Sequence, residues 1–289
     1  MATDNRNPFA TRAAVTLVHL GVRGLSAVAP RFVEKKAASF FFTPRPKRRK
    51  SKLPNGESRA FRVPFQSGFI AAWEEGPAHA PVVLLVHGWE ADARQLDPFV
   101  GPLLRAGFRI VRFDQPAHGL SSGKHASVVD FRDAVRRMGE HLGALHAIVG
   151  HSVGATASAL AVADGLRVDR VALIAPVREP GGVLGRIADS LGLAPARRHG
   201  MLELVRGRIG SFEALDVALR ARDRSQPALI VHAKNDRMIP FEEGEAIAAA
   251  WPGAQLLAPP SLGHRRILKD DAVIAAAIEF VARGREIRA

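Results

Sequence analysis

Residues 145–163 read LHAIVGHSVGATASALAVA, and this stretch decides how the whole chain is organised. Leu145 to Val149 is a short apolar run of strand length, and Val153 to about Ala163 is a run of small helix-compatible residues. Between them lies Gly150-His151-Ser152-Val153-Gly154, a G-x-S-x-G sequence. A strand that turns at once into a helix forces the serine into a tight turn and projects its Oγ from the sheet edge. Glycine suits positions 150 and 154 because a side chain there would collide with the neighbouring strand or helix.

Outward from this turn the same alternation repeats. Pro81 to His87 (PVVLLVH) is a continuous apolar run, as a parallel strand covered on both faces requires. Helix is expected over Arg94 to Ala106, strand over Arg109 to Phe113, and helix over Val128 to Leu142. Further strands fall at Arg170 to Ala175, Ala228 to His232 and Gln255 to Leu257, with helices over Phe241 to Ala250 and Asp271 to about Arg283. Upstream, Ala60 to Phe65 and Phe69 to Trp73 read as a hairpin turning at Ser67-Gly68. Repeated βα units with right-handed crossovers give an α/β class and a mostly parallel, doubly wound sheet. Its β-to-α turns gather at one edge, where such folds hold their ligands. Only the interval from about 177 to 226 breaks the rhythm; it lacks an apolar strand and reads as a small helical cap insertion.

A serine hydroxyl is a weak nucleophile at neutral pH and needs a base to take its proton. His264, in Ser261-Leu262-Gly263-His264 just after the last expected strand, fits that role. His151 abuts the serine but should point away from it, His232 lies inside a strand, and His118 suits a turn. The histidine needs a carboxylate on Nδ1 to fix its tautomer. Asp236, at the end of ALIVHAKND, emerges at the right edge; Glu179 and Asp114 are its rivals, and Asp114 better suits tying down its own loop. The resulting order Ser152, Asp236, His264 is the one that follows a strand-turn-helix serine. An oxyanion hole would use the backbone N–H of Val153 and that of Trp89, in the loop after PVVLLVH. The Trp89 ring would wall an acyl pocket or join the core.

The chain has 289 residues, of which 47% are apolar and 24% charged, so a full core is available and wholesale disorder is excluded. With no cysteine anywhere, disulfides, thiolate metal sites and a cysteine nucleophile are excluded too. The formal charge of +13 is concentrated at one end: residues 1–60 hold 13 Lys/Arg against 3 Asp/Glu, net +10, leaving +3 for the rest. Its densest run is Arg45, Lys47, Arg48, Arg49, Lys50 and Lys52. Arg12, Thr16, His19, Arg23 and Ser26 fall on one helical stripe, so residues 12–26 form an amphipathic helix, too broken by charge to reach the ~20 apolar residues of a span. Ala27-Val28-Ala29 resembles a secretory cleavage site, but the stretch before it is charged. Phe40-Phe41-Phe42 precedes the basic run. Aromatic and cationic groups together suit peripheral contact with an anionic membrane; solvation, or packing of the helix and the Phe cluster onto the body, are the alternatives. Specific nucleic-acid binding is not expected, because the body is nearly balanced in charge.

From about residue 60 to 285 the chain resembles the α/β-hydrolase superfamily, in particular its bacterial esterase-like and serine-aminopeptidase-like members. His87-Gly88, FDQPAHGLSSG at 113–123, GHSVG at 150–154, Asp236 and Gly263-His264 carry the likeness. Serine at 152 departs from the dehalogenase and epoxide-hydrolase branches, which use an aspartate. The resemblance implies the α/β-hydrolase fold, with an N-terminal extension at 1–59 and the hydrolase domain at 60–289. It implies the same triad and oxyanion hole, a small-molecule acyl substrate, and hydrolysis of a carboxylic ester through an acyl-serine, without cofactor or metal. Acyltransferase and peptidase or amidase chemistry would use the same residues, and a non-catalytic binder would keep the fold alone. A cytoplasmic location is expected, with membrane association through the extension.

Overall fold

A computed structural model describes residues 19–45 and 58–283; positions 12–18 of the amphipathic stretch and Lys47 to Lys52 of the basic run lie outside them. The chain divides into two compact units, one of residues up to Phe42 with Pro180–Phe212, the other of Thr43–Glu179 with Glu213 onward.

The larger unit is an eight-stranded sheet. Its strands are β1 (Arg59–Phe65), β2 (Gly68–Glu75), β3 (Val82–Val86), β4 (Arg109–Phe113), β5 (Leu145–His151), β6 (Val168–Ile174), β7 (Ala228–Val231) and β8 (Gln255–Leu257), in the order β1-β2-β4-β3-β5-β6-β7-β8. β1 and β2 pair antiparallel, as do β2 and β4; every later pair is parallel. VVLLV of β3 is buried at every position, which is why it reads as an unbroken apolar run. Helices α3 (Asp97–Arg105) and α11 (Asp271–Ala282) cover one face. There Phe99, Leu103, Ala277 and Phe280 pack on Val83, Leu85, Val149 and Ile174. Helices α4 (Val128–Leu142) and α5 (Val153–Ala163) pack together, with α5 against β3, β5 and β6; α8 (Val217–Arg220) and α9 (Phe241–Ala250) follow on the chain's way to β8.

Two local expectations shift. Phe65 pairs with Gly68, so the hairpin turn falls on Gln66-Ser67, and Gln66 takes the left-handed conformation (φ 49°). Gly68 opens the second strand, and a Cβ there would run into the Ser122 side chain. The helix expected over Arg94–Ala106 is broken into a 3-10 turn, Ala93–Leu96, and then α3, which restarts at Asp97 with a proline in its first turn.

The smaller unit joins α1 (residues 19–28) and α2 (Pro30–Phe42) to α6 (Pro180–Ser190) and α7 (Pro195–Ile209). Ala37, Ala38 and Phe42 share one apolar cluster with Ala188, Leu193, Met201 and Val205. Arg197 donates to Glu34 at 2.6 Å, and His19 Nε2 donates to the Ser190 carbonyl at 2.9 Å. The helical part of the N-terminal stretch therefore belongs with the insertion, and the 177–226 interval splits after Phe212. Among the described residues no helix is long and apolar enough to cross a membrane.

Candidate active site

β5 delivers the chain to Ser152 at φ 54° and ψ −127°, a backbone conformation that residues with a side chain rarely adopt and that costs about 1–3 kcal/mol. The surroundings over-determine it. The Ser152 N–H donates to the Ile174 carbonyl at 2.9 Å, and its carbonyl accepts from the Thr156 N–H at 3.0 Å. A Cβ at Gly150 would lie 2.7 Å from the Ala155 Cα, and one at Gly154 would lie 2.2 Å from the His87 carbonyl oxygen. Both glycines stand where backbone approaches backbone, as the sequence suggests.

Two loops from elsewhere in the sheet reach the serine turn. His264, at the start of the short helix α10 (Gly263–Arg266), places Nε2 3.0 Å from Ser152 Oγ and Nδ1 2.7 Å from Asp236 Oδ2. All three residues are buried. The other oxygen of Asp236 accepts from the N–H groups of Met238 (2.8 Å) and Ile239 (3.0 Å). Burial alone would raise the Asp236 carboxyl. The hydrogen bond and charge of His264, with those two amides, outweigh it and hold the carboxyl below its ordinary range, so it stays ionised. An ionised carboxylate on Nδ1 takes the proton there and leaves Nε2 as the acceptor facing Oγ.

The oxyanion donors expected from Trp89 and Val153 have a distinctive setting. The Gly88 N–H is taken by Gln95 Oε1 at 2.7 Å and the Glu90 N–H by His118 Nε2 at 3.1 Å. The intervening Trp89 N–H and the Val153 N–H donate to no group among the described residues. Gly88 permits the close approach, since a Cβ there would already be 3.1 Å from the Ser152 Cβ. The Trp89 ring stacks on Phe131 (5.7 Å between centroids) and packs, half-buried, against a small cluster of Ala126, Phe131 and Ala157.

Several residues besides these hold this frame. His151 points away from Oγ, as expected, and its Nε2 donates to the backbone carbonyl of His264 at 2.9 Å. His232 donates to the Ile239 carbonyl at 3.0 Å, beneath the Asp236 loop. His87 accepts from the Gln115 N–H at 2.9 Å and donates to the Gly88 carbonyl at 2.7 Å. Asp114 ties its own loop to the next, accepting from the N–H groups of Ala93 and Leu120 at 2.8 and 2.7 Å. Burial pushes the Asp114 carboxyl up to about 6, and it lowers His87 to about 4 and His118 and His151 to about 3. These imidazoles are therefore neutral and can accept as well as donate. Gln95 leaves no pattern in sequence; its only signal is a polar residue flanked by buried Leu96 within a buried turn.

Such a sheet, with an acid, a histidine and a strained serine at the carboxyl edge of its strands, defines an α/β-hydrolase-fold protein. A family profile described as alpha/beta hydrolase fold matches residues 81–202. A bifunctional esterase/perhydrolase of Acinetobacter calcoaceticus is 26% identical over 246 residues, covering 68% of this chain and 88% of that protein. A Variovorax paradoxus protein named for carbamate hydrolysis is 24% identical over 251 residues, covering 72% and 94%. Among solved structures, a Pyrococcus furiosus esterase superposes with a TM-score of 0.65 at 15% identity, covering 84% of this chain and 98% of that one. The chain thus has the α/β-hydrolase fold, and its residues 81–202 match that family's profile.

Proposed function

We propose that this protein is a serine hydrolase that cleaves a carboxylic ester through an acyl-serine intermediate, with Ser152 as nucleophile, His264 as base and Asp236 as the orienting acid. The observation that carries the reading is the unbroken chain of hydrogen bonds from Ser152 Oγ to His264 (3.0 Å) and from His264 to Asp236 (2.7 Å), set on a strained turn. Oγ attacks the acyl carbon as its proton passes to His264 Nε2, and Asp236 stabilises the imidazolium that forms. The carbonyl oxygen becomes an oxyanion beside the Trp89 and Val153 amides, each such donor being worth about 3 kcal/mol. On collapse, His264 gives its proton to the leaving alcohol; water then repeats the sequence in reverse roles and frees Ser152. Similarity to relatives named for ester and carbamate hydrolysis supports an acyl carbon bonded to oxygen or nitrogen, and the esterase names favour oxygen.

The test is Ser152→Ala. Native protein should hydrolyse short p-nitrophenyl esters and be labelled by a fluorophosphonate, and the variant should lose both, the rate by several powers of ten. An unlabelled, inactive native protein would mark a non-catalytic binder. Acyl transfer to an added alcohol in preference to water, or faster turnover of aminoacyl anilides than of esters, would replace ester hydrolysis by acyltransferase or peptidase chemistry.

A further inference from the structure

We infer that the outer face of α1 and α2 is a docking surface for an anionic phospholipid bilayer. The two helices run nearly as one: the Ala29 N–H donates to the Leu25 carbonyl at 2.8 Å and the Val33 N–H to the Ala29 carbonyl at 3.2 Å, carrying the ladder across the break at Ala29. One side, through Val22, Val33, Ala37 and Ala38, is turned inward. On the opposite side Leu25, Val28 and Phe32 follow one another at spacings of three and four, a single stripe, and are 46%, 86% and 51% exposed. Beside them a Cβ at Gly21 or Gly24 would meet nothing within 4 Å, so that face is open.

Charge identifies what would cover it. Arg31, Lys35 and Lys36 are exposed alongside the stripe; Arg31 and Lys35 make no ion pair among the described residues, and Lys36 Nζ lies 5.5 Å over the Phe32 ring. The one acid between residues 19 and 42, Glu34, is engaged by Arg197 in the other direction. In sequence the basic residues Arg45, Lys47, Arg48, Arg49, Lys50 and Lys52 come directly after. An apolar ridge one to two side chains wide, rimmed by cations without balancing acids, matches the headgroup boundary of an anionic membrane: the ridge enters the acyl region while the amines meet phosphate. Nucleic acid would use the cations but leave the ridge in water.

The experiment uses the purified full chain with phosphatidylcholine vesicles, with and without phosphatidylglycerol, in a sedimentation assay. The native chain should sediment with the anionic vesicles only, and less at high salt. Two variants alter different parts of the face: Val28→Asp with Phe32→Ser, and Arg31→Glu with Lys35→Glu. Both substitute exposed positions and should keep the native circular dichroism; each should weaken partition about tenfold or more. If the native chain stays in the supernatant, or if both variants sediment like the native chain, the inference fails. It also fails if light scattering shows a native dimer that Val28→Asp dissolves and that does not bind vesicles, since the stripe would then be covered by a second copy.

Discussion

Ser152 carries a side chain at a φ suited to glycine, and the residues around it make that possible. Gly154→Ala would put a methyl group 2.2 Å from the His87 oxygen and 2.7 Å from the Val86 oxygen, both main-chain atoms of the adjoining strand that cannot swing aside. We expect this substitution to lower the unfolding midpoint and fluorophosphonate labelling together; unchanged labelling would mean that the turn tolerates the methyl. Gln95 offers a subtler case. Its Oε1 accepts the Gly88 N–H, so Gln95→Ala should loosen the aim of the neighbouring Trp89 N–H and reduce kcat about tenfold with little change in KM. Gln95→Glu keeps an acceptor oxygen and should recover most of the rate, whereas equal losses in the two variants would point to simple loss of packing. The contrast between Gln95 and Ser152 also marks how far sequence reaches. Ser152, Asp236 and His264 are legible because each lies in the turn or loop that follows a recognisable strand and is a reactive residue type. Gln95, His151 and His232 act through backbone carbonyls and amides, whose positions follow from folded geometry and leave no residue pattern.

At the level of elements, apolar runs disclose the parallel strands because burial on both faces imposes the composition. The strand RIVRF is the exception that composition hides. Arg112 in β4 is only 4% exposed, yet it is ion-paired to Glu75 on β2 and to Asp97 at the start of α3. It thereby fixes the antiparallel edge of the sheet to the helix that follows the loop after β3. Arg112→Ala leaves the mostly buried Glu75 without that partner and should cost about 3–5 kcal/mol in chemical denaturation. Arg112→Met keeps the stem's packing and should cost less; a neutral Arg112→Ala would show that water replaces the guanidinium freely. Pairing of α2 with α6 and α7 was not legible at all, because some 150 residues separate the partners in sequence and an amphipathic pattern tells that a face is buried without telling against what. The shorter range displacement of α3 is similar: a proline in the first turn favours the restart, but only the folded 3-10 turn decides it.

Across the molecule, buried histidines set the response to acid. His87, lowered to about 4, and His118 and His151, lowered to about 3, owe the shift first to burial, and all serve as neutral hydrogen-bonding groups around the site. In the unfolded chain each would titrate near 6.5. Below that pH the unfolded state gains protons that the folded state refuses, so the stability these groups contribute is complete above about pH 6.5 and is lost as pH falls toward 3 to 4. Asp114 acts in the opposite direction. Its folded carboxyl, raised to about 6, takes up a proton earlier than the unfolded one and so favours the fold as pH drops between about 6 and 4. These depressed imidazoles, with His232 lowered by burial as well, outweigh the raised Asp114 carboxyl, so stability should fall between pH 7 and pH 4.5. Urea denaturation at a series of pH values measures it directly. Asp114→Asn should steepen the acid loss by removing the opposing group, and a stability curve flat from pH 7 to 4.5 would mean that these imidazoles accept protons in place without unfolding the protein.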